Sequence, residues 1–142
     1  MITAIDANVI ISLWDRDPVI SSPSRRALEI AFLRGGLVIA APVFAELLAA
    51  PGRTEAFLKK FLQETTITVD WNLGEEVWRT AARAFQLYAE RRRKQRDSGT
   101  RRILADFIIG AHAQVHGFRF LTRDEHLYRA AFSQLKIETI SS

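Results

Sequence analysis

The chain alternates short apolar runs with stretches of helical period, and this alternation restricts its fold more than any other feature. Strands read at Ile2–Ile5, Leu37–Ala40, Thr66–Val69, Phe118–Leu121 and Ile137–Ile140, each apolar or β-branched and too short for a helix. Helical spacing fills the gaps between them. A strand, a helical connection and a further apolar strand form the unit of a parallel sheet covered on both faces. The expected architecture is α/β: a doubly wound α/β/α sandwich with a mostly parallel, about five-stranded sheet, built as one domain over residues 1–142.

Local signals set the helix limits. A helix is expected from Val9 to Trp14. A second is expected to be capped by Ser21-Ser22, to carry Pro23 in its first turn, and to run to Arg34, where Gly35-Gly36 stops it. Pro42–Ala50 and Thr54–Gln63 follow, the latter with Phe57, Leu58, Phe61 and Leu62 on one face. Leu73, Val77, Ala81, Ala84, Phe85 and Tyr88 mark a long helix that enters a basic run and is broken by Ser98-Gly99-Thr100. Ile103–His116, closed by Gly117, and Asp124–Ala131 complete the set.

Several function classes drop out early. With no cysteine, there is no disulfide framework, thiolate zinc site or cysteine nucleophile. The start, Met1-Ile2-Thr3-Ala4-Ile5-Asp6, lacks a basic leader, and no apolar run spans a bilayer, so no membrane role and a cytoplasmic location are expected. The net charge of +4 is concentrated in one place. Residues 91–102 hold seven basic side chains (Arg91, Arg92, Arg93, Lys94, Arg96, Arg101 and Arg102) against one acid, which leaves the rest of the chain slightly negative. Such a run suits a polyanionic partner such as RNA, although it also suits an ordinary solvated helix end.

Four acids occupy positions that need explaining. Ligands of open parallel sheets bind beyond the carboxyl ends of the strands. Asp6 follows the first strand directly, and Asp124 lies three residues beyond the fourth. Glu46 is the only charge in Ala41–Ala50, and Asp106 the only one in Ile103–Ala111. A carboxylate in apolar surroundings is costly unless paired or metal-bound. Several such groups together favour a divalent cation, and an all-oxygen set favours Mg²⁺ or Mn²⁺. Each acid also has a structural reading: Asp6 and Asp124 as helix caps, Glu46 as an ion-pair partner, and Asp106 as a cap or a partner of Arg101 or Arg102.

The motifs Ile5-Asp6-Ala7-Asn8-Val9, Phe44-Ala45-Glu46-Leu47, Ala105-Asp106-Phe107-Ile108-Ile109-Gly110-Ala111-His112-Ala113 and Leu121-Thr122-Arg123-Asp124, in this order, resemble the PIN domain, and within it the toxin ribonucleases of VapC type. The resemblance covers nearly the whole chain. It implies a metal-dependent nuclease acting on RNA, with Asp6, Glu46, Asp106 and Asp124 as the acidic, metal-binding set and Asn8 and Thr122 as polar support. It also implies a homodimer and a small antitoxin partner, for which the apolar face of Thr54–Gln63 offers a surface. The chain departs from the pattern after Asp124, where the only nearby acid is the adjacent Glu125. One or two metal ions therefore both fit.

Other features carry less. His112 and His116 share a helix face, but no Glu follows the first, so the zinc-protease pattern fails and a solvated face is expected for both. Trp71 and Trp78 read as core or interface, and Trp14 as a contact for a partner. Two rival functions stand beside the nuclease. One is an aspartate-based phosphatase, suggested by Asp6-Ala7-Asn8, in which Asn8 cannot serve as the second acid. The other is a non-catalytic RNA- or protein-binding module with vestigial acids.

Overall fold

The computed structural model describes residues 1–95 and 102–140. Its elements run β1 (Thr3–Ile5), α1 (Ala7–Leu13), α2 (Pro18–Arg34), β2 (Leu37–Ala40), α3 (Ala41–Leu48), α4 (Glu55–Thr65), β3 (Ile67–Asp70), α5 (Gly74–Gln95), α6 (Leu104–His116), β4 (Arg119–Thr122), α7 (Glu125–Ala131) and β5 (Lys136–Thr139). The strands form one sheet in the order β3-β2-β1-β4-β5, and every pairing is parallel. The expected α/β class and five-stranded sheet are therefore observed.

Burial follows from this order. The inner strands β1 and β2 are buried along their whole length, whereas the edge strands β3 and β5 are partly open. Strands covered on both faces need continuous apolar sequence, as in Leu37-Val38-Ile39-Ala40. The winding reverses between β1 and β4, which pair in register from Thr3 opposite Arg119 to Ile5 opposite Leu121. That reversal opens a crevice at the carboxyl ends of two neighbouring strands.

The second helix begins earlier than the Ser21-Ser22-Pro23 reading places it. Asp17 accepts a hydrogen bond from the Val19 N–H at 3.0 Å, and Pro18 takes the first helical position. Asp17-Pro18 is a cap-and-proline pair of the same kind as Ser22-Pro23 and lies five residues earlier, so the helix starts there and Pro23 falls in its body. Trp14 also differs from expectation. It packs edge-on against Phe57 and Phe61 of α4, with ring centroids 5.5 and 5.2 Å away, and the Arg53 guanidinium lies over it. Trp71 and Trp78 are mostly exposed rather than core residues. Trp71 meets Phe44 edge-on.

The helix α6 is buried along Phe107–Ala113 and ends at Gly117, whose φ of 67° is left-handed. Gly110 within it marks a close approach. A Cβ there would lie 2.7 Å from Cδ2 of the buried Phe132 ring, which follows α7. Gly110→Ala should therefore overpack this junction and lower stability by about 1–3 kcal/mol, despite the better helix propensity of alanine. Urea unfolding of the two proteins checks this.

Candidate functional site

The site grows from the end of β1. Asp6 leaves the strand in an extended conformation and caps α1, its Oδ1 accepting from the Ala7 N–H at 2.8 Å. Its Oδ2 accepts from the Thr122 hydroxyl at 2.8 Å, across the β1–β4 pair. The same Thr122 oxygen accepts from the Asp124 N–H at 2.9 Å. Thr122 thus fixes both the rotamer of Asp6 and the backbone that carries Asp124. Asn8 braces the same loop, its Oδ1 accepting from the Arg123 N–H at 3.1 Å.

The other acids approach on helices. Asp106 sits in the first turn of α6, where its Oδ2 accepts from the Ile103 N–H at 3.3 Å. Glu46 lies on α3, which packs against α1 and α6. Its Oε1 is buried and has no hydrogen-bond partner among the described residues. Asp124 stands at the start of α7 but does not cap it, contrary to the cap reading. Its carboxylate instead takes a hydrogen bond from Arg102 Nη1 at 2.7 Å. The Arg102 N–H in turn donates to the Tyr88 hydroxyl at 2.8 Å, so α5 and the lead into α6 meet at this point.

Electrostatics bind the set together. Burial pushes the Asp6 carboxyl up to about 6, against which the Thr122 and Ala7 hydrogen bonds work, while nearby Asp106 adds to the rise. Burial, then the charges of Asp6 and Asp106, raise Glu46 to about 7. Asp106 is raised by burial and by Asp124, with the Ile103 N–H and Arg102 opposing. The structure therefore brings all four acids into one electrostatic neighbourhood. They remain open: no three of them bring oxygens within 4.8 Å of one another.

Tyr128 belongs to this site and escaped the sequence reading. It is buried on α7, packs edge-on against Phe120, and lies against Asp6. Burial, then the charges of Asp6 and Asp106, raise its phenol, which stays protonated. At the sequence level it is one more aromatic on a helix, and only its position four residues after Asp124 hints at a role.

The basic run is only partly visible. Arg91, Arg93 and Lys94 are exposed at the end of α5, and Arg92 is half-buried. Arg96 and Arg101 lie outside the described residues, as does the Ser98-Gly99-Thr100 break. The histidine pair differs from expectation. His116 is exposed, but His112 is 1 % exposed and bonded to Asp70, so the face they share is not a solvated one.

The PIN domain family model matches residues 3–133. The chain belongs to the PIN domain family. PIN domains are metal-dependent nucleases. No curated protein matches the chain. Among solved structures the PIN fold is shared with VapBC2 from Rickettsia felis bound to a DNA fragment from its promoter (16% identity, TM-score 0.73, 99% of this chain and 100% of that one). It is shared also with FitAcB from Neisseria gonorrhoeae (23%, TM-score 0.63, 99% and 97%). A third is VapBC-1 from nontypeable Haemophilus influenzae (19%, TM-score 0.65, 98% of each chain).

Raised carboxyls make a pH prediction for this PIN domain. A carboxyl whose folded pKa exceeds its unfolded value binds more protons when folded, so stability falls as pH rises between the two values. For Asp6 and Glu46 that window runs from 3.8 and 4.5 to about 6 and about 7. Metal-free protein should melt at a higher temperature at pH 5 than at pH 8. Glu46→Gln should shrink that difference, as thermal melts in chelator will show.

Proposed function

We propose that this PIN domain is a Mg²⁺- or Mn²⁺-dependent endoribonuclease, the toxin of a toxin–antitoxin pair. The observation that carries the reading is that Asp6, Glu46, Asp106 and Asp124 share one electrostatic neighbourhood near the β1–β4 reversal, with three of the carboxyls raised by burial and by neighbouring acids. Glu46 Oε1, buried without a partner, fits a cation ligand, as does an all-oxygen donor set. Support for the toxin reading comes from the neighbours, whose names describe toxin–antitoxin complexes or VapBC pairs.

The residues divide the work as follows. Asp6 and Asp106 would be the primary ligands of a cation, and Glu46 and Asp124 would complete the shell or orient a water. When bound, a divalent cation supplies positive charge to the scissile phosphate and a water of lowered pKa. Thr122 and Asn8 hold Asp6 and the Arg123–Asp124 backbone in place. Arg102 neutralises Asp124 until substrate or cation arrives. Arg91, Arg92, Arg93 and Lys94, with Arg96, Arg101 and Arg102, draw an RNA backbone towards an otherwise acidic centre.

The wider setting follows from the same reading. The partners are RNA, a small antitoxin protein and a second copy of the chain, and the protein acts in the cytoplasm. No helix among the described residues is long and apolar enough to cross a membrane.

Two measurements test the proposal. Asp6→Asn or Asp106→Asn should lower RNA cleavage at least about a hundredfold while circular dichroism stays unchanged, and EDTA should stop the native protein. Full cleavage in either variant, or in excess chelator, would refute the site. Replacing Arg91, Arg92, Arg93 and Lys94 together should weaken RNA binding and flatten its dependence on salt by about 0.7 per lost phosphate contact. An unchanged slope would mark the run as a solvated helix end.

A further inference from the structure

A second group of ligand-type side chains lies outside the acid site. Asp70 ends the edge strand β3, and His112 and His116 lie one helical turn apart on α6. Each of the three offers a ligand atom, and these atoms all lie within 4.8 Å of one another. Among the described residues this is the only group of three or more His, Cys, Asp or Glu that meets that limit. Asp70 Oδ2 is 3.0 Å from His112 Nε2. The rings of His112 and His116 meet edge-on with centroids 5.1 Å apart, and His116 stacks on Phe118.

His112 shows that hydrogen bonding within the chain leaves the group incomplete. Its ring is buried, and Nδ1 has no hydrogen-bond partner among the described residues. In the tautomer that carries its proton on the buried Nδ1, the ring turns the Nε2 lone pair towards Asp70 Oδ2, 3.0 Å away, where a shared cation would sit. That lone pair meets a carboxylate oxygen and gains no hydrogen bond from it, an arrangement that a cation between them relieves. Burial, opposed by Asp70, holds His112 below the usual imidazole range. Asp70 and His116 are both reachable from solvent, which gives an ion a way in.

We propose that Asp70, His112 and His116 form a second divalent-cation site, suited to Zn²⁺ or Co²⁺, that clips α6 to the sheet edge. Two imidazoles and one carboxylate make a borderline donor set, unlike the all-oxygen set around Asp6. Ligands bound about 2.0–2.2 Å from zinc require only a modest closing of the present spacing, and the open side leaves a position for water. The site joins β3 to the helix that carries Asp106, so occupancy would stiffen that helix. This inference is independent of the nuclease reading, and its test does not use RNA cleavage.

The test uses the full chain carrying Asp106→Asn, which disables the acid site. Co²⁺ is the spectroscopic probe and Zn²⁺ the calorimetric one. The expected result is one equivalent of Co²⁺ with a visible ligand-field spectrum, Zn²⁺ bound in the micromolar range or tighter, and a higher melting temperature with Zn²⁺. Adding His116→Ala, an exposed position, should weaken Zn²⁺ at least about tenfold and abolish the visible spectrum. Asp70→Asn, which keeps an acceptor for His112, should do the same. The proposal is overturned if the Asp106→Asn protein takes up neither ion, or if affinity and spectrum survive both added substitutions.

Discussion

Repulsion between carboxylates at the reversal of the sheet is the constraint around which this molecule is arranged. Asp6, Glu46 and Asp106 each raise the energy of another's charge, in a crevice where burial has already weakened solvation. Such an arrangement works against folding, and few chains would keep it for stability alone. The chain offsets it in part by local hydrogen bonds. Thr122 and the Ala7 N–H stabilise Asp6, the Ile103 N–H stabilises Asp106, and Arg102 stabilises Asp124. Glu46 Oε1 receives no such relief from the described residues, and the carboxyl is raised to about 7.

The fold supplies the rigidity that this arrangement needs. Asp6 is anchored at once by the β1–β4 ladder, by its cap of α1 and by Thr122. Asp106 is anchored by a helix whose inner face is buried through seven consecutive residues. The backbones that carry Asp6 and Asp106 therefore cannot draw apart without unpacking an element. A preorganised cluster of negative charge is what a cation site requires.

Much of this was legible in the sequence, for physical reasons that differ by residue. The strands were readable because burial on both faces forces continuous apolar runs, as at Leu37–Ala40. Glu46 and Asp106 stood out because a lone charge in an apolar helix violates its surroundings. The start of α2 is ambiguous in the sequence, because Asp17-Pro18 and Ser22-Pro23 are equivalent cap-and-proline signals and only the packed helix shows which one begins it. Tyr128, Asp70 and His112 were missed or misjudged for a common reason. Their surroundings come from residues distant in sequence, such as the 42 positions between Asp70 and His112, and no local period reports them. The bond from Arg102 to Asp124 likewise depends on how α5 and the lead into α6 meet, which no motif reports.

The most direct test of the central claim is a crystal structure grown with Mn²⁺ and measured at the manganese absorption edge. If converging carboxylates exist to bind a cation, anomalous density will appear at the carboxyl end of β1, within coordination distance of Asp6 and Asp106, and Glu46 will turn towards it. No anomalous density there at saturating Mn²⁺, with the four acids still mutually spread, would contradict the account.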